Sequence, residues 1–411
     1  MVEDIAGFVF QITADREEFE RYDGPKFVYG LCTSQEIICI PKSGFLEALH
    51  TTDPTLDFVT YNNIHCPFAL PGGDFPFDIF SAGFYLLTRC EEYNSKSKDE
   101  HGRFLSFASM AFQHSFLDQP VINLWALDLR KKLQDKYPLL PCKTFSFRSV
   151  VTIDVDQAFA IRARGWVRTL GRLGKQLLSL QLNKIMETAS VLLLNRKDPF
   201  DTFDYILTQQ QKYDHELFFF IHLGDYDTFD KSIAWNHFLM KKLMQKLSAS
   251  ALMGIHPSYR SNDDLKTLEE ECERYGLLFH TKPKRSRQHY LKMQLPETYE
   301  NLMNMGISED YTMGYAEQTG FRAGTCTPFY FYNLEKECET PLKVYPFVVM
   351  DRTLKDGLKL NVARSIEEIK EIRNKVKSVE GTFILLFHNE TLSENSEWIG
   401  WREVYESILQ Q

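Results

Sequence analysis

At 411 residues the chain is long for one average domain, so two domains are the first expectation. Its 44% hydrophobic and 25% charged residues are those of an ordinary soluble protein able to bury a full core. A formal charge of −9 argues against a nucleic-acid binder, which needs a basic surface to neutralise phosphates.

The start, Met1-Val2-Glu3-Asp4, is acidic and the apolar piece behind it is short, unlike the basic start and long apolar centre of a signal peptide. The eight cysteines (Cys32, Cys39, Cys66, Cys90, Cys142, Cys272, Cys326 and Cys338) show no C-x-x-C spacing and no zinc-ribbon pattern. In a chain this long they read as free thiols in a reducing compartment. Further on, Phe75-Pro76-Phe77-Asp78 leads into Ile79 to Leu87, whose apolar spacing predicts an amphipathic helix, followed by Arg89 and Glu91-Glu92-Tyr93. Lys96 to His101 reads as a polar loop, and Pro120 opens another helix. The stretch Pro138 to Lys143 is the linker, which divides the chain into 1–143 and 144–411. The longest candidate for a membrane span, Leu177 to Leu194, is broken by Asn183, Lys184 and Glu187. A cytoplasmic protein without a transmembrane segment is expected.

From Phe145 onward short apolar runs alternate with longer amphipathic ones, the pattern of βα units around a parallel sheet or barrel. Ser149-Val150-Val151 runs into Thr152-Ile153-Asp154-Val155-Asp156, which delivers two carboxylates to one rim of a sheet. Like charges that close need a cation or a proton between them. A strand-end turn with capping Asp side chains is the ordinary alternative. Three other apolar runs end in histidine: 217–221 at His222, 251–255 at His256 and 383–387 at His388. One such His is usually a hydrogen-bonded structural residue, but three of them with an Asp pair at the C-terminal ends of strands point to a shared site. After His256, Ser261 or Asn262 is the expected cap of a helix from Leu265 to about Tyr275. Gly276 should stop it, with 277–279 as the next strand. The charged stretch beyond, 282–290, carries Arg287 and His289 two residues apart.

Other signatures fail. Gly171 to Lys175 has the wrong spacing for a phosphate loop, and neither H-E-x-x-H nor G-x-S-x-G occurs. The 14% aromatic content is mostly core, although sugar clefts also use aromatic platforms.

With these residues assembled, the stretch from Phe145 to the C-terminus resembles the polysaccharide deacetylases, metal-dependent sugar N- or O-deacetylases built on a distorted (β/α) barrel. The Asp-Val-Asp form looks like the variant found in deacetylases of lipid-linked aminosugars. The N-terminal part looks like the accessory α/β region preceding such domains in a set of bacterial deacetylase-like proteins. The resemblance implies a general base at Asp154 and a metal-ligand Asp at Asp156, although the one-residue offset leaves open which acid takes which role. His256, in Gly-Ile-His-Pro-Ser-Tyr, matches the first His of the family's H-x-x-x-H motif, and Arg260 stands where the second belongs. His289 is then the replacement ligand, Arg287 the residue that orients the catalytic Asp, and His388 the general acid. Tyr259, Asp310 and Arg322, the last in the rim-like Gly-Phe-Arg-Ala-Gly-Thr, are the implied substrate-binding residues. The implied cofactor is a divalent metal, zinc first, with cobalt, nickel or manganese as alternatives. The implied substrate is an acetylated sugar or glycolipid of surface-polysaccharide metabolism. An inactive sugar-binding barrel is the main alternative, with Arg260 filling the ligand position. A glycoside hydrolase using Asp154 and Asp156 fits poorly, because such pairs are ~5–9.5 Å apart.

Overall fold

The computed structural model describes residues 1–31, 36–48, 54–213, 215–395 and 397–410. The first third carries two small strand pairs. β1 (Phe27–Tyr29) and β2 (Ile38–Ile40) are parallel, and β3 (Phe58–Tyr61) and β4 (Ile64–Pro67) form a hairpin. The hairpin closes on Asn62 and Asn63, both with positive φ. A two-residue turn of matching twist requires that conformation, and Asn tolerates it. The helix Ile79–Leu87 starts where Asp78 accepts from the backbone N–H groups of Phe80 and Ser81. The helix Val121–Lys136 buries Val121, Trp125, Leu129 and Leu133, one apolar stripe at helical spacing. With Phe75 and Phe77 these side chains make a second hydrophobic core, which Tyr315 and Leu334 of the later chain join.

The rest of the chain is organised on one nine-stranded sheet. Its strands are β5 (Arg148–Val155), β6 (Glu216–Ile221), β7 (Leu252–Ile255), β8 (Arg285–Ser286), β9 (Glu309–Asp310), β10 (Phe329–Asn333), β11 (Cys338–Val344), β12 (Val349–Met350) and β13 (Thr382–His388). They lie in the order β10-β11-β9-β8-β7-β6-β5-β13-β12. All neighbours are parallel except the edge pair β10–β11. The edges β10 and β12 are not paired with each other among the described residues, so the expected barrel is present only as an open sheet. Alternation sorts the two faces. Val151, Ile153, Val155, Leu217, Phe219 and Ile221 join the large core under the helices, whereas Val150, Phe218, Phe220, Ile384 and Leu386 line the opposite face. The register sets His388 beside Asp154 and Asp154 beside Phe220, so one row of side chains near the strand ends shares that second face.

Three local expectations are corrected. Gly276 does not stop its helix, which runs Leu265–Phe279 and ends at His280 in the left-handed region. Leu278 and Phe279 pack on the core as helix, not strand. The cap of that helix is Asp264, because residues 260–262 form a separate 3-10 turn. Cys39 is disulfide-bonded. Cys66, Cys90, Cys142, Cys272, Cys326 and Cys338 are free thiols, and Cys32 lies outside the described residues.

A buried charge cluster joins the two halves. Arg322 reaches Glu92 Oε2 at 2.6 Å and Oε1 at 3.0 Å. Arg89 Nε is 2.7 Å from Glu92 Oε1, and its Nη2 donates to the Tyr315 hydroxyl at 3.1 Å. Burial pushes the Glu92 carboxyl up, but Arg322 and Arg89 outweigh it and hold the carboxyl down at about 2. Removing one partner strands buried charge, so Glu92→Gln is expected to cost about 3–5 kcal/mol, read as a shift of the urea midpoint. Because the folded value lies below the ordinary ~4.3, this stabilisation is complete above that pH and is lost as the pH falls through about 2.

Candidate metal centre and cleft

Asp154 is the inward-facing residue near the end of β5, and Asp156 follows it on the same side just past the strand. His256 follows β7 directly. Gly254 precedes it because a Cβ there would meet the Phe220 ring at 2.5 Å, so only glycine lets that ring lie across the inner face. His256 Nδ1 is 2.6 Å from the carbonyl oxygen of Arg287. A carbonyl only accepts, so a ring proton sits on Nδ1 and Nε2 is the nitrogen turned to the two carboxylates. That Nε2 is 3.1 Å from Asp156 Oδ1 and 3.8 Å from Asp154 Oδ2. His289 has its Nδ1 2.8 Å from Asp230 Oδ1 and its Nε2 3.5 Å from Asp156 Oδ2.

One carboxylate and two imidazoles therefore converge, with ligand atoms within 4.8 Å of one another. Asp156 Oδ1 is buried and makes no hydrogen bond. A carboxylate, two imidazoles and an unsatisfied buried oxygen fit a divalent ion of the zinc type. Asp230 holding the far nitrogen of His289 is the outer-shell arrangement that fixes a ligating ring. A second grouping, His222, Asp230 and His289, is already closed by two 2.8 Å hydrogen bonds, and His222 is fully buried outside the cleft wall. The third strand-end histidine thus braces Asp230 from behind. Burial opposes charge on His289, but Asp156 and Asp230 on either side outweigh it and raise the imidazolium to about 10. A cation entering the site has to displace that proton, so its uptake weakens in acid.

Next to this set Asp154 is gripped by a buried guanidinium. Arg287 Nη1 is 3.0 Å from Asp154 Oδ1 and 2.6 Å from the Thr152 hydroxyl, while its Nε donates to the Tyr311 carbonyl at 2.9 Å. The grip occupies Oδ1 and leaves Oδ2 facing His256. His388, beside Asp154 on the neighbouring strand, has its Nε2 3.8 Å from Asp156 Oδ2. Asp351 accepts both from its Nδ1, at 2.8 Å, and from its backbone N–H, at 2.7 Å. Burial disfavours the His388 cation, but Asp351 and Asp156 overcome it and raise it to about 9. Neither Asp230 nor Asp351 was singled out in the sequence. Asp351 closes the apolar run Val348-Val349-Met350 and carried the same strand-end signal as the residues that were; Asp230 sits in an irregular loop and carried none.

Asp154, Asp156, His256, His289 and His388 line a cleft of about 390 Å³. The N-terminal part contributes His101 and Arg103 to its wall, from a polar loop that gave no sequence signal. Arg103 donates to the Tyr290 carbonyl at 2.8 Å, which pins strained backbone, since Tyr290 and Leu291 are both left-handed without being glycine. Tyr259 stands behind the rim, its hydroxyl 3.3 Å from His101 Nδ1 and its ring against Phe229 and Tyr290. The other two substrate-binding expectations are corrected. Asp310 is fully buried and spent on Ser286 and Thr312, and Arg322 belongs to the Glu92 cluster; neither reaches the cleft. Arg260 is exposed and 3.7 Å from Asp264, so it does not fill a ligand position. Arg352, paired with Glu390, does line the cleft, as do Arg103 and Lys231.

A family model described as a family of unknown function (DUF7033) matches residues 1–138. No curated protein matches the chain. Among solved structures, a Mycobacterium smegmatis protein assigned as a polysaccharide deacetylase is 13% identical, with a TM-score of 0.42, over 66% of this chain and 86% of that one. A polysaccharide deacetylase from Bacillus cereus is 12% identical, TM-score 0.30, over 64% and 85%. A mutant of a CE4-family pseudoenzyme with restored activity is 10% identical, TM-score 0.32, over 64% and 63%. At scores this low the likenesses decide nothing about chemistry, which rests on the side chains themselves.

Proposed function

We propose that the chain is a metal-dependent deacetylase of an N-acetylated, or O-acetylated, sugar or glycolipid, with residues 1–143 as an accessory unit that completes the cleft wall. The observation that carries this reading is the set of groups that lines one cleft: an Arg-gripped carboxylate, a carboxylate with two imidazoles, and a carboxylate-held histidine. Asp156, His256 and His289 would hold the ion. A divalent cation there supplies Lewis acidity to the acetyl group and to the attacking water.

Asp154 Oδ2 takes the proton that water gives up as its oxygen adds to the acetyl carbon. Arg287, 3.0 Å from its Oδ1, keeps that carboxylate aimed. His388 then gives its Nε2 proton to the sugar nitrogen as the C–N bond breaks, releasing acetate and a free amine. Tyr290, half exposed on the wall, offers a sugar-stacking face. Binding without turnover would need neither the base nor the acid, and Arg260 no longer argues for it.

Elemental analysis of protein purified without chelators tests the reading. Wild type should hold about one divalent ion per chain, and His256→Ala should lose most of it. Equal metal content in the two proteins would sink the ligand assignment.

A further inference from the structure

Residues 161–197 leave the sheet just behind Asp156 and fold into two helices, Trp166–Leu178 and Leu182–Leu193. Their burial is inverted. Gln176 and Thr188 are turned inward beside Val191 and hydrogen-bonded to each other at 3.4 Å, while most of the leucines face out. Leu178 is 88% exposed, Leu193 81% and Trp166 77%, and they are three of eleven large apolar side chains exposed between 166 and 194. Such a face is unfavourable in water and marks a surface that something covers. A groove of about 420 Å³, walled by Trp166, Leu170 and Leu192, opens at its root.

Charge selects the occupant. Residues 161–197 contain eight Lys or Arg and one acid, Glu187, within a chain whose net charge is −9. Arg168, Arg172 and Lys175 follow one another at helical spacing beside the leucines. A symmetric contact between two copies of this hairpin would set the basic patch against itself. Anionic headgroups neutralise it and leave the leucines in the acyl boundary.

We propose that this hairpin is an interfacial anchor that lies in the surface of an anionic lipid bilayer without crossing it. No described helix is long and apolar enough to span a membrane. The anchor is rooted in the cleft wall. Arg164 bonds to Gln157 and, at 3.2 Å, to the Lys231 carbonyl, and Arg168 stacks 3.7 Å from the Tyr226 ring centre. Gln157 and Lys231 both line the cleft, so docking brings its mouth towards the headgroups. Membrane docking itself does not depend on the deacetylase reading.

The test is co-sedimentation of the full chain with phosphatidylglycerol–phosphatidylcholine vesicles and with phosphatidylcholine alone. Partition onto the anionic vesicles should exceed that onto the neutral ones and should weaken with salt. Leu178→Glu combined with Leu193→Glu should lower it roughly tenfold or more. Lys175→Gln with Lys184→Gln should lower it while leaving the leucines intact, and thermal melts check that each variant is folded. Absence of binding to anionic vesicles, equal binding to neutral ones, or no response to the leucine changes would overturn the proposal. So would a lipid-independent dimer that Leu178→Glu dissolves, since it would show a second copy on that face.

Discussion

Replacing Asp154 by Asn is expected to lower turnover of an N-acetylated aminosugar by about 10²–10⁴-fold while the divalent ion stays bound. The asymmetry between the two acids carries this expectation. Asp154 already has a permanent cationic partner in Arg287 at 3.0 Å, and its free oxygen stands no closer than 3.8 Å to His256 Nε2. Among the described residues no arginine pairs with Asp156 in this way. Its two oxygens face His256 and His289 at 3.1 and 3.5 Å, and one makes no hydrogen bond. The substituted amide would keep the shape and a hydrogen-bonding oxygen for Arg287, so folding and metal content should survive. It cannot accept the water's proton. Acetate release and metal content, measured on one preparation, decide the matter. If the ion leaves with Asp154→Asn but remains in Asp156→Asn, the roles of the two acids are exchanged.

The strand-end rule made much of this site legible. Parallel strands bring their C-terminal ends to one rim, so Asp154, Asp156, His256 and His388 could be grouped from apolar runs alone. Asp351 behind Val349 and Met350 carried the same signal. Arg322 shows where the rule stops. Its glycine-flanked stretch reads as a rim loop, yet its charge is matched by Glu92, 230 positions earlier, and no local pattern encodes a partner at that distance. His101 and Arg103 were hidden for the same reason, since they meet Tyr259 and Tyr290 from the other half of the chain. Gly276 misled in the opposite direction. A single glycine costs a helix only about 1 kcal/mol, and the packing of Leu278 and Phe279 on the core outweighs it.

Replacing His388 by Ala is expected to lower N-deacetylation by about 10²–10⁴-fold with little change in sugar affinity. A nitrogen leaves poorly unless it is protonated as its bond to carbon breaks, and Nε2 of His388 faces the cleft with its proton to give. Release of an O-acetyl group should suffer less, because an alkoxide is a better leaving group than an amide anion. The pH profile adds a readout that mere loss of packing would not produce. Asp351 and Asp156 hold the imidazolium against burial up to about 9, so the acid form is present at neutral pH and is lost as the pH rises through that value. A cation beside Asp156 offsets part of that carboxylate's pull and sets the limb of the loaded enzyme lower. Asp351→Asn removes the carboxylate that raises His388 most, so the alkaline limb of activity should move down by about 1–3 pH units. The hydrogen-bonding shape is largely kept, so activity well below the limb should be reduced much less than in His388→Ala. An alkaline limb that stays in place in Asp351→Asn would mean that another group supplies the proton. A sugar-binding protein without turnover would show neither the limb nor its displacement.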